Sequence, residues 1–280
     1  MIYTAIDDFV DYVQQVTECD VCAYMYGAVM TDDFTPNSTI DLLIVTPQPM
    51  TQLQATRLLT ARKFLAEVRK NDNFNNINGA IISKDDLLNK TANQVLFYKK
   101  GKQYLDDVYP LSVIDMLSLK TQGKLLVGDD VLANVVMPTR AQVFAECQRL
   151  VKVVQGCGKA DGTPFAYQCM FWLTRALYTI ATNQIASDSD SMIWAMEQGH
   201  LAEKVAMQCL AYHVTDSNAY SAKMKLNLKS QAWQKQIDAL VAVTVAIINE
   251  GDKFVPTVEV IYDSQEQPTQ TGKLVWRKNK

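Results

Sequence analysis

Two strand-length apolar runs joined by a polar segment constrain the fold of this chain more than any other feature. Residues 21–26 and 40–46 are rich in β-branched and aromatic side chains, as buried strands are. Between them lie Gly27 and the turn-forming sequence Pro36-Asn37-Ser38. A glycine that ends a strand lets a phosphate approach the backbone, and a carboxylate in the next strand, here Asp41, can hold a divalent metal on it. The pattern therefore predicts a strand–loop–strand unit with a ligand site at one end.

Size and charge narrow the class of protein. A chain of 280 residues with 48% hydrophobic and 20% charged residues has enough apolar material for one large or two modest globular domains. A net charge of −3 leaves no basic surface for a nucleic-acid backbone, so no nucleic-acid partner is expected. The longest apolar stretch, residues 239–248, is too short to span a bilayer. The first residues lack a basic, then apolar, leader pattern, and we expect a cytoplasmic protein with no membrane partner.

The cysteines divide into two groups. Cys19 and Cys22 form a lone Cys-x-x-Cys pair, which is either a redox or half-zinc site or a pair of ordinary side chains. A zinc site needs two further ligands, and no second such pair is present, so the ordinary interpretation is favoured. The remaining cysteines lie in apolar, helix-like surroundings and are expected in the core: Cys147, Cys157, Cys169 and Cys209.

The first half of the chain alternates between helical and strand patterns. Apolar residues at helical spacing predict an opening helix over residues 6–13. Good helix formers predict one helix over 51–70, and a third strand is expected at 77–83. Residues 93–98 fit either a strand or a short helix. Residues 110–128 are expected to be mainly helix.

The second half is predicted to be a helical bundle followed by a tail. Thr139 and Gln142 form a capping box after Pro138, which marks a helix start. Further helices are expected over 164–183, 200–213 and 231–249, and the polar segment 187–191 is expected to cap another helix, which carries Trp194 and Met196. A late hairpin would pair residues 258–262 with 273–276.

The predicted fold class is therefore α/β (α+β), with a mixed sheet followed by an all-helical bundle. We expect three parts: a first domain over 1–137, a helical substrate-binding domain over 138–251, and a tail over 252–280.

Two sets of motifs resemble one known family. Gly27-Ala28, ten residues and Thr39-Ile40-Asp41 have the spacing of the nucleotidyltransferase signature, Gly-Ser followed by Asp-x-Asp. Further on, Arg175-x-x-Tyr178 and Trp194-Ala195-Met196-Glu197 resemble helices of the streptomycin/spectinomycin adenylyltransferases. The resemblance is collinear over roughly residues 20 to 250.

This resemblance implies a site for ATP, Mg²⁺ and an aminoglycoside, with AMP transferred from ATP to a hydroxyl of the drug. Asp41 matches the second metal-binding Asp, and Gly27 matches the glycine beside the phosphates. Ala28 stands where the family has a phosphate-binding Ser. Thr39 stands at the first Asp, and Asn78 at the Glu that serves as base.

In the helical half, the resemblance places the acidic drug-binding position near Ser189, so Asp188 and Asp190 are candidates for holding a small cationic molecule. Helix capping explains the same two acids equally well.

Whether the protein is an enzyme stays open on the sequence. Two of three expected carboxylates are missing, and neither Thr39 nor Asn78 supplies the charge that a metal needs. One alternative is an adenylyltransferase acting on an aminoglycoside-like molecule, with a replacement acid. The other is an inactive relative that binds a nucleotide, a small molecule or a protein. The acids nearest in sequence that were considered as replacements are Asp32, Asp33, Asp85 and Asp86.

Overall fold

The computed structural model of the chain describes residues 2–31, 33–35, 38–99, 102–156, 164–214, 230–250, 256–259 and 273–276. The chain divides into two compact units, Met1–Pro138 and Thr139–Lys280. The assignment of separate functional domains to 1–137, 138–251 and 252–280 stays a prediction. No helix among the described residues is both long and apolar enough to cross a bilayer.

The first unit is built on one mixed sheet of six strands, in the order β5-β4-β3-β2-β1-β6. Strands β2 and β3 run parallel, and the other neighbouring pairs are antiparallel. The strands are β1 Cys22–Tyr26, β2 Ile40–Thr46, β3 Ile77–Ser83, β4 Val95–Lys99, β5 Lys102–Asp106 and β6 Lys124–Val127.

The three strands that the sequence pattern predicts, β1, β2 and β3, are confirmed, and residues 93–98 prove to be mostly strand. The two edge strands were missed. The helix expected over 110–128 is shorter, α5 Val113–Gln122, and Gly123 separates it from β6. The reason is tertiary: β6 has no fully buried residue, so its apolar pattern is weak, and it forms only by pairing with β1.

Helices cover both faces of the sheet. The helices of this unit are α1 Ile2–Thr17, α2 Gln52–Leu58, α3 Ala61–Arg69, α4 Lys84–Asn89 and α5. The opening helix is confirmed, but the single helix expected over 51–70 is two. Thr60 donates its hydroxyl to the Arg57 carbonyl at 3.1 Å, and the backbone N–H of Thr60 bonds the same carbonyl. This break lets α2 and α3 each place their own buried residues on the core.

Two apolar cores result, one on each face. The first packs α1, α2 and α3 against the alternate residues Ile40, Leu42 and Ile44 of β2. The second packs α4 and α5 against Leu43 and Val45. Because side chains alternate along a strand, Thr39, Asp41 and Asn78 project on the face of the second core.

The second unit contains helices and one hairpin. Its helices are α6 Arg140–Gly156, α7 Pro164–Thr182, α8 Asp188–Glu197, α9 Glu203–Val214 and α10 Ser230–Glu250. The capping box is confirmed: the Gln142 side chain accepts from the Thr139 backbone at 2.9 Å, and Thr139 Oγ1 accepts from the Gln142 backbone at 3.3 Å.

The hairpin pairs β7 Pro256–Glu259 with β8 Lys273–Trp276, so its first strand begins two residues before the expected start. Residues 260–262 lie outside the described part.

Candidate functional site

The first three strands bring the predicted site residues of the first unit together. Gly27 follows the last residue of β1, and Asp41 is the second residue of β2. In the register, Tyr26 lies opposite Asp41, and Asp41 lies opposite Asn78 of β3. Gly27 and Asp41 are 14 residues apart in the chain, Asp41 and Asn78 are 37 apart, and the sheet makes them neighbours.

The carboxylate of Asp41 accepts hydrogen bonds from the two residues that replace the family acids. Thr39 donates its hydroxyl to Asp41 Oδ1 at 2.9 Å, and Asn78 donates its side-chain amide to the same oxygen at 2.6 Å. Hydrogen bonds to an ionised carboxylate are stronger than those between neutral groups. Thr39 and Asn78 therefore stabilise the charge of Asp41 instead of sharing a metal with it.

Gly27 makes room for that carboxylate. Its φ is +73°, in the left-handed region, and a Cβ atom added there would overlap Asp41 Oδ2. The sequence assigned Gly27 to the approach of a phosphate. In the structure, the space beside its Cα atom is filled by Asp41. Ala28 lies in the 3₁₀ turn Gly27–Met30 that follows and supplies only a methyl group where the family has a hydroxyl.

A second carboxylate, which the sequence analysis did not single out, lies near the site. Asp115 lies in the first turn of α5, and α5 packs against β1 and the Gly27 turn. Burial raises the pKa of the Tyr26 phenol well above its usual value, and the charges of Asp115 and Asp41 raise it further. Asp115 accepts from the Ser112 backbone at 2.9 Å and from the Ser112 hydroxyl at 2.7 Å. It therefore serves as a helix cap, and Ser112-x-x-Asp115 was the sequence signal for it.

Among the residues that the structure describes, the other acids considered as replacements do not complete a metal site. Asp86 is buried and accepts from Ser83 at 2.6 Å, Thr91 at 2.7 Å and Asn93 at 2.6 Å. Asp85 is exposed, and Asp32 lies outside the described residues. Across the part of the chain that the structure describes, no three His, Cys, Asp or Glu side chains are placed to hold a metal ion.

The site does not fit magnesium. Mg²⁺ demands oxygen ligands in octahedral geometry, and here a hydroxyl proton and an amide NH₂ group point at the only family-matched carboxylate.

Neither Cys19 nor Cys22 is in a disulfide, and both are half-buried. Cys147, Cys169 and Cys209 are buried as predicted, and Cys157 lies outside the described residues.

In the second unit, Asp188 and Asp190 lie in the first turn of α8. Ser187 caps this helix by accepting from the Asp190 backbone at 3.0 Å. Asp188 pairs with Arg175 of α7 at 3.5 Å, and Asp190 is exposed. Acidic residues in a first helical turn also stabilise the helix dipole. This structural role accounts for both acids, and their predicted role in binding a cation is untested.

Comparison with known proteins supports the fold. No protein-family model matches the sequence, and no curated protein matches it. Among solved structures, the chain is similar to the crystal structure of spectinomycin adenyltransferase AAD(9) from Enterococcus faecialis with ATP and spectinomycin. The TM-score is 0.61 and the identity 15%, and the match covers 87% of this chain and 99% of that one.

A six-stranded mixed sheet joined to a helical region, matched over nearly the whole of a known adenyltransferase, defines a nucleotidyltransferase-like fold. At 15% identity the likeness concerns the fold and carries no activity with it.

Proposed function

We propose that this chain is a nucleotidyltransferase-fold protein that binds a nucleoside triphosphate such as ATP and does not transfer its nucleotidyl group. The observation that carries the proposal is the state of Asp41, whose Oδ1 atom accepts from both Thr39 and Asn78. Two donors thus stand where catalysis would need two acids.

Nucleotidyl transfer uses carboxylates in two ways. They hold the metal ions that stabilise the attacking and leaving oxygens, and one takes the proton of the attacking hydroxyl. Loss of a general base alone lowers a rate by about a hundredfold to ten-thousandfold. Asn78 has no basic atom for this step, and Thr39 brings no charge to a metal. Both losses act on the same reaction, so turnover is expected to be negligible.

Nucleotide binding is supported by the fold and by the place of the site in it. The similar adenyltransferase structure contains ATP, and the sequence resemblance assigns Gly27 and the turn after β1 to the phosphates. Under this proposal, Asp188 and Asp190 of the helical unit hold a small cationic molecule. The cytoplasm remains the predicted location.

A second candidate function is slow transfer of AMP from Mg-ATP to a hydroxyl of an aminoglycoside-like molecule. The likeness to an adenyltransferase over 87% of this chain, which reaches into the helical unit, favours it. In this case Asp41 is the surviving metal ligand, and Asp115, whose charge acts on Tyr26 together with that of Asp41, is a candidate for the base.

One pair of measurements separates the two functions. The protein is incubated with labelled ATP, Mg²⁺ or Mn²⁺ and aminoglycosides that include spectinomycin, and AMP transfer is followed. In parallel, calorimetry measures ATP binding in EDTA and in Mg²⁺. The first proposal expects no transfer and equal affinity in both buffers. Robust transfer that Asp41→Ala abolishes establishes the second function, and absence of ATP binding in either buffer rules out both.

A further inference from the structure

Helix α3 presents two large apolar side chains that belong to neither of the two apolar cores formed by the described residues. Phe64 and Val68 lie one turn apart, and 46% and 58% of their surfaces are exposed. The Phe64 ring contacts the ring of Tyr12 on α1, with centroids 5.6 Å apart. The outward side of a helix that meets only water is normally polar. An apolar seam between two surface helices therefore indicates a surface that another protein covers.

The two helices that form this seam carry opposite charges. Every charged residue of α1 is acidic, and the exposed charges of α3 are mainly basic. Asp8 of α1 pairs with Arg69 of α3 at 3.2 Å, so the helices lie side by side. Lys63 lies 4.0 Å from Glu67, and such an exposed pair contributes little, so Lys63 remains able to bind another acid. We call the exposed surface formed by these two helices the α1–α3 face; it comprises Asp7, Asp11, Tyr12, Lys63, Phe64 and Val68.

This face is complementary to itself. A two-fold axis that runs along the seam turns α1 of one copy onto α3 of the other and joins the two seams. An axis across the seam would instead place α1 on α1 and bring acids together, which is unfavourable. Asp11 and Lys63 each precede one ring of the Tyr12–Phe64 contact, so the first arrangement brings Asp11 of each copy to the level of Lys63 of the other.

We propose that a second copy of this chain docks on the α1–α3 face and forms a two-fold dimer. This inference does not depend on nucleotide binding. Helix α1 has 16 residues and α3 has 9, so their outward sides are about 24 Å and 14 Å long and about 10 Å wide. Two copies then cover about 800 Å² in total, which is the size of a weak, transient interface. We expect a dissociation constant in the micromolar range.

Sedimentation velocity of the full chain from about 1 µM to about 300 µM tests the dimer. The unmodified chain should shift from monomer to dimer over this range. Val68→Gln should raise the dissociation constant at least tenfold, because each dimer buries this side chain twice. Val108→Gln is the matched control: Val108 is 56% exposed and its neighbour Tyr109 packs on the other core, so dimerisation should not change.

Charge reversal tests the arrangement of the helices. Asp11→Lys opposes two lysines across the interface, and Lys63→Glu opposes two acids, so each variant alone should stay monomeric. In an equimolar mixture of the two variants, every opposed pair is again a lysine and an acid, and dimers should form. A loss of folding would not be restored by mixing, and circular dichroism of each variant checks the fold directly.

Three results overturn the inference. If the unmodified chain is monomeric at every concentration, no second copy binds this face, which is then left to a different protein. If Val68→Gln and Val108→Gln dimerise alike, the dimer uses another surface. If the mixture of charge variants stays monomeric, α1 does not lie on α3 of the other copy.

Discussion

The carboxylate of Asp41 accepts two hydrogen bonds from residues next to it in the sheet. Thr39 reaches it from the same strand and Asn78 from the next one, and Gly27 leaves the space that its other oxygen fills. The Asp41 carboxylate is therefore surrounded by two donors and by the space that Gly27 leaves. A single methyl group at residue 27 is enough to disturb this arrangement.

Gly27→Ala is expected to destabilise the protein by about 2–4 kcal/mol, because it adds backbone strain to the overlap with Asp41. Gly199→Ala is the matched control: Gly199 has the same φ of +73° and no atom within 4 Å of the added Cβ. It should cost only about 1–2 kcal/mol. Urea unfolding measures both. In an Asp41→Ala background the cost of Gly27→Ala should fall to the control value, and an unchanged cost would show that the overlap is not its source.

Asp86 makes stability depend on pH. Burial alone would raise the pKa of its carboxyl, but hydrogen bonds from Ser83, Thr91 and Asn93 outweigh it and hold the pKa below the usual value. A lowered folded-state pKa gives stability that is complete above the unfolded pKa and is lost as the pH falls through the folded one.

We therefore expect Asp86→Ala to cost about 2 kcal/mol at pH 7, with the cost shrinking below about pH 4. Urea unfolding between pH 2.5 and 7 measures this, with the exposed neighbour Asp85→Ala as control. A cost that does not change with pH would contradict the role of the ionised carboxylate.

At the scale of elements, the parallel pairing of β2 and β3 decides which side chains share the site. Asp41 lies opposite Asn78 in this register, and Thr39 lies two residues before Asp41 on the same face. The resemblance predicts acids at all three of these positions, and the register brings the three positions to one face of the sheet. We therefore expect the fold to tolerate carboxylates at residues 39 and 78.

The double variant Thr39→Asp, Asn78→Glu is expected to gain a binding site for Mn²⁺ and to bind ATP at least tenfold more tightly in Mn²⁺ than in EDTA. Three carboxylates in reach of each other repel unless a cation joins them. Calorimetry with Mn²⁺ alone and with ATP measures the gain. Asp188→Asn, Asp190→Asn provides a control in the helical unit, and lack of any metal binding by a folded double variant would show that the geometry is not retained.

At the scale of the whole molecule, the first unit has its own apolar cores. Both apolar cores of the sheet are formed by residues before Pro138, and the six strands pair only with one another. A unit of this size with its own core is large enough to be stable. The candidate site around Asp41 lies entirely within it.

We expect a fragment of residues 1–138 to fold on its own and to unfold in a single cooperative transition. Circular dichroism and urea unfolding measure this, and near-ultraviolet dichroism reports fixed packing of Tyr24, Tyr26 and Phe97. A gradual, non-cooperative loss of signal would show that the second unit is required for the fold of the first.

The sequence by itself determined the elements whose signals are local. Strands β1, β2 and β3 are buried and strongly apolar, and the capping box at Thr139 and Gln142 lies within four residues, so composition and spacing were sufficient. The spacing from Gly27 to Asp41 likewise predicted the candidate site, and the role of that site stays a prediction.

Only the tertiary structure decided the rest. Edge strand β6 forms because it pairs with β1. The helix expected over residues 51–70 is interrupted at Thr60, and the two resulting helices each place buried residues on the core. That Asn78 donates to Asp41 follows from the register of β2 and β3. Such contacts join residues far apart in the chain, and no local preference encodes them, because they depend on which strands lie next to each other.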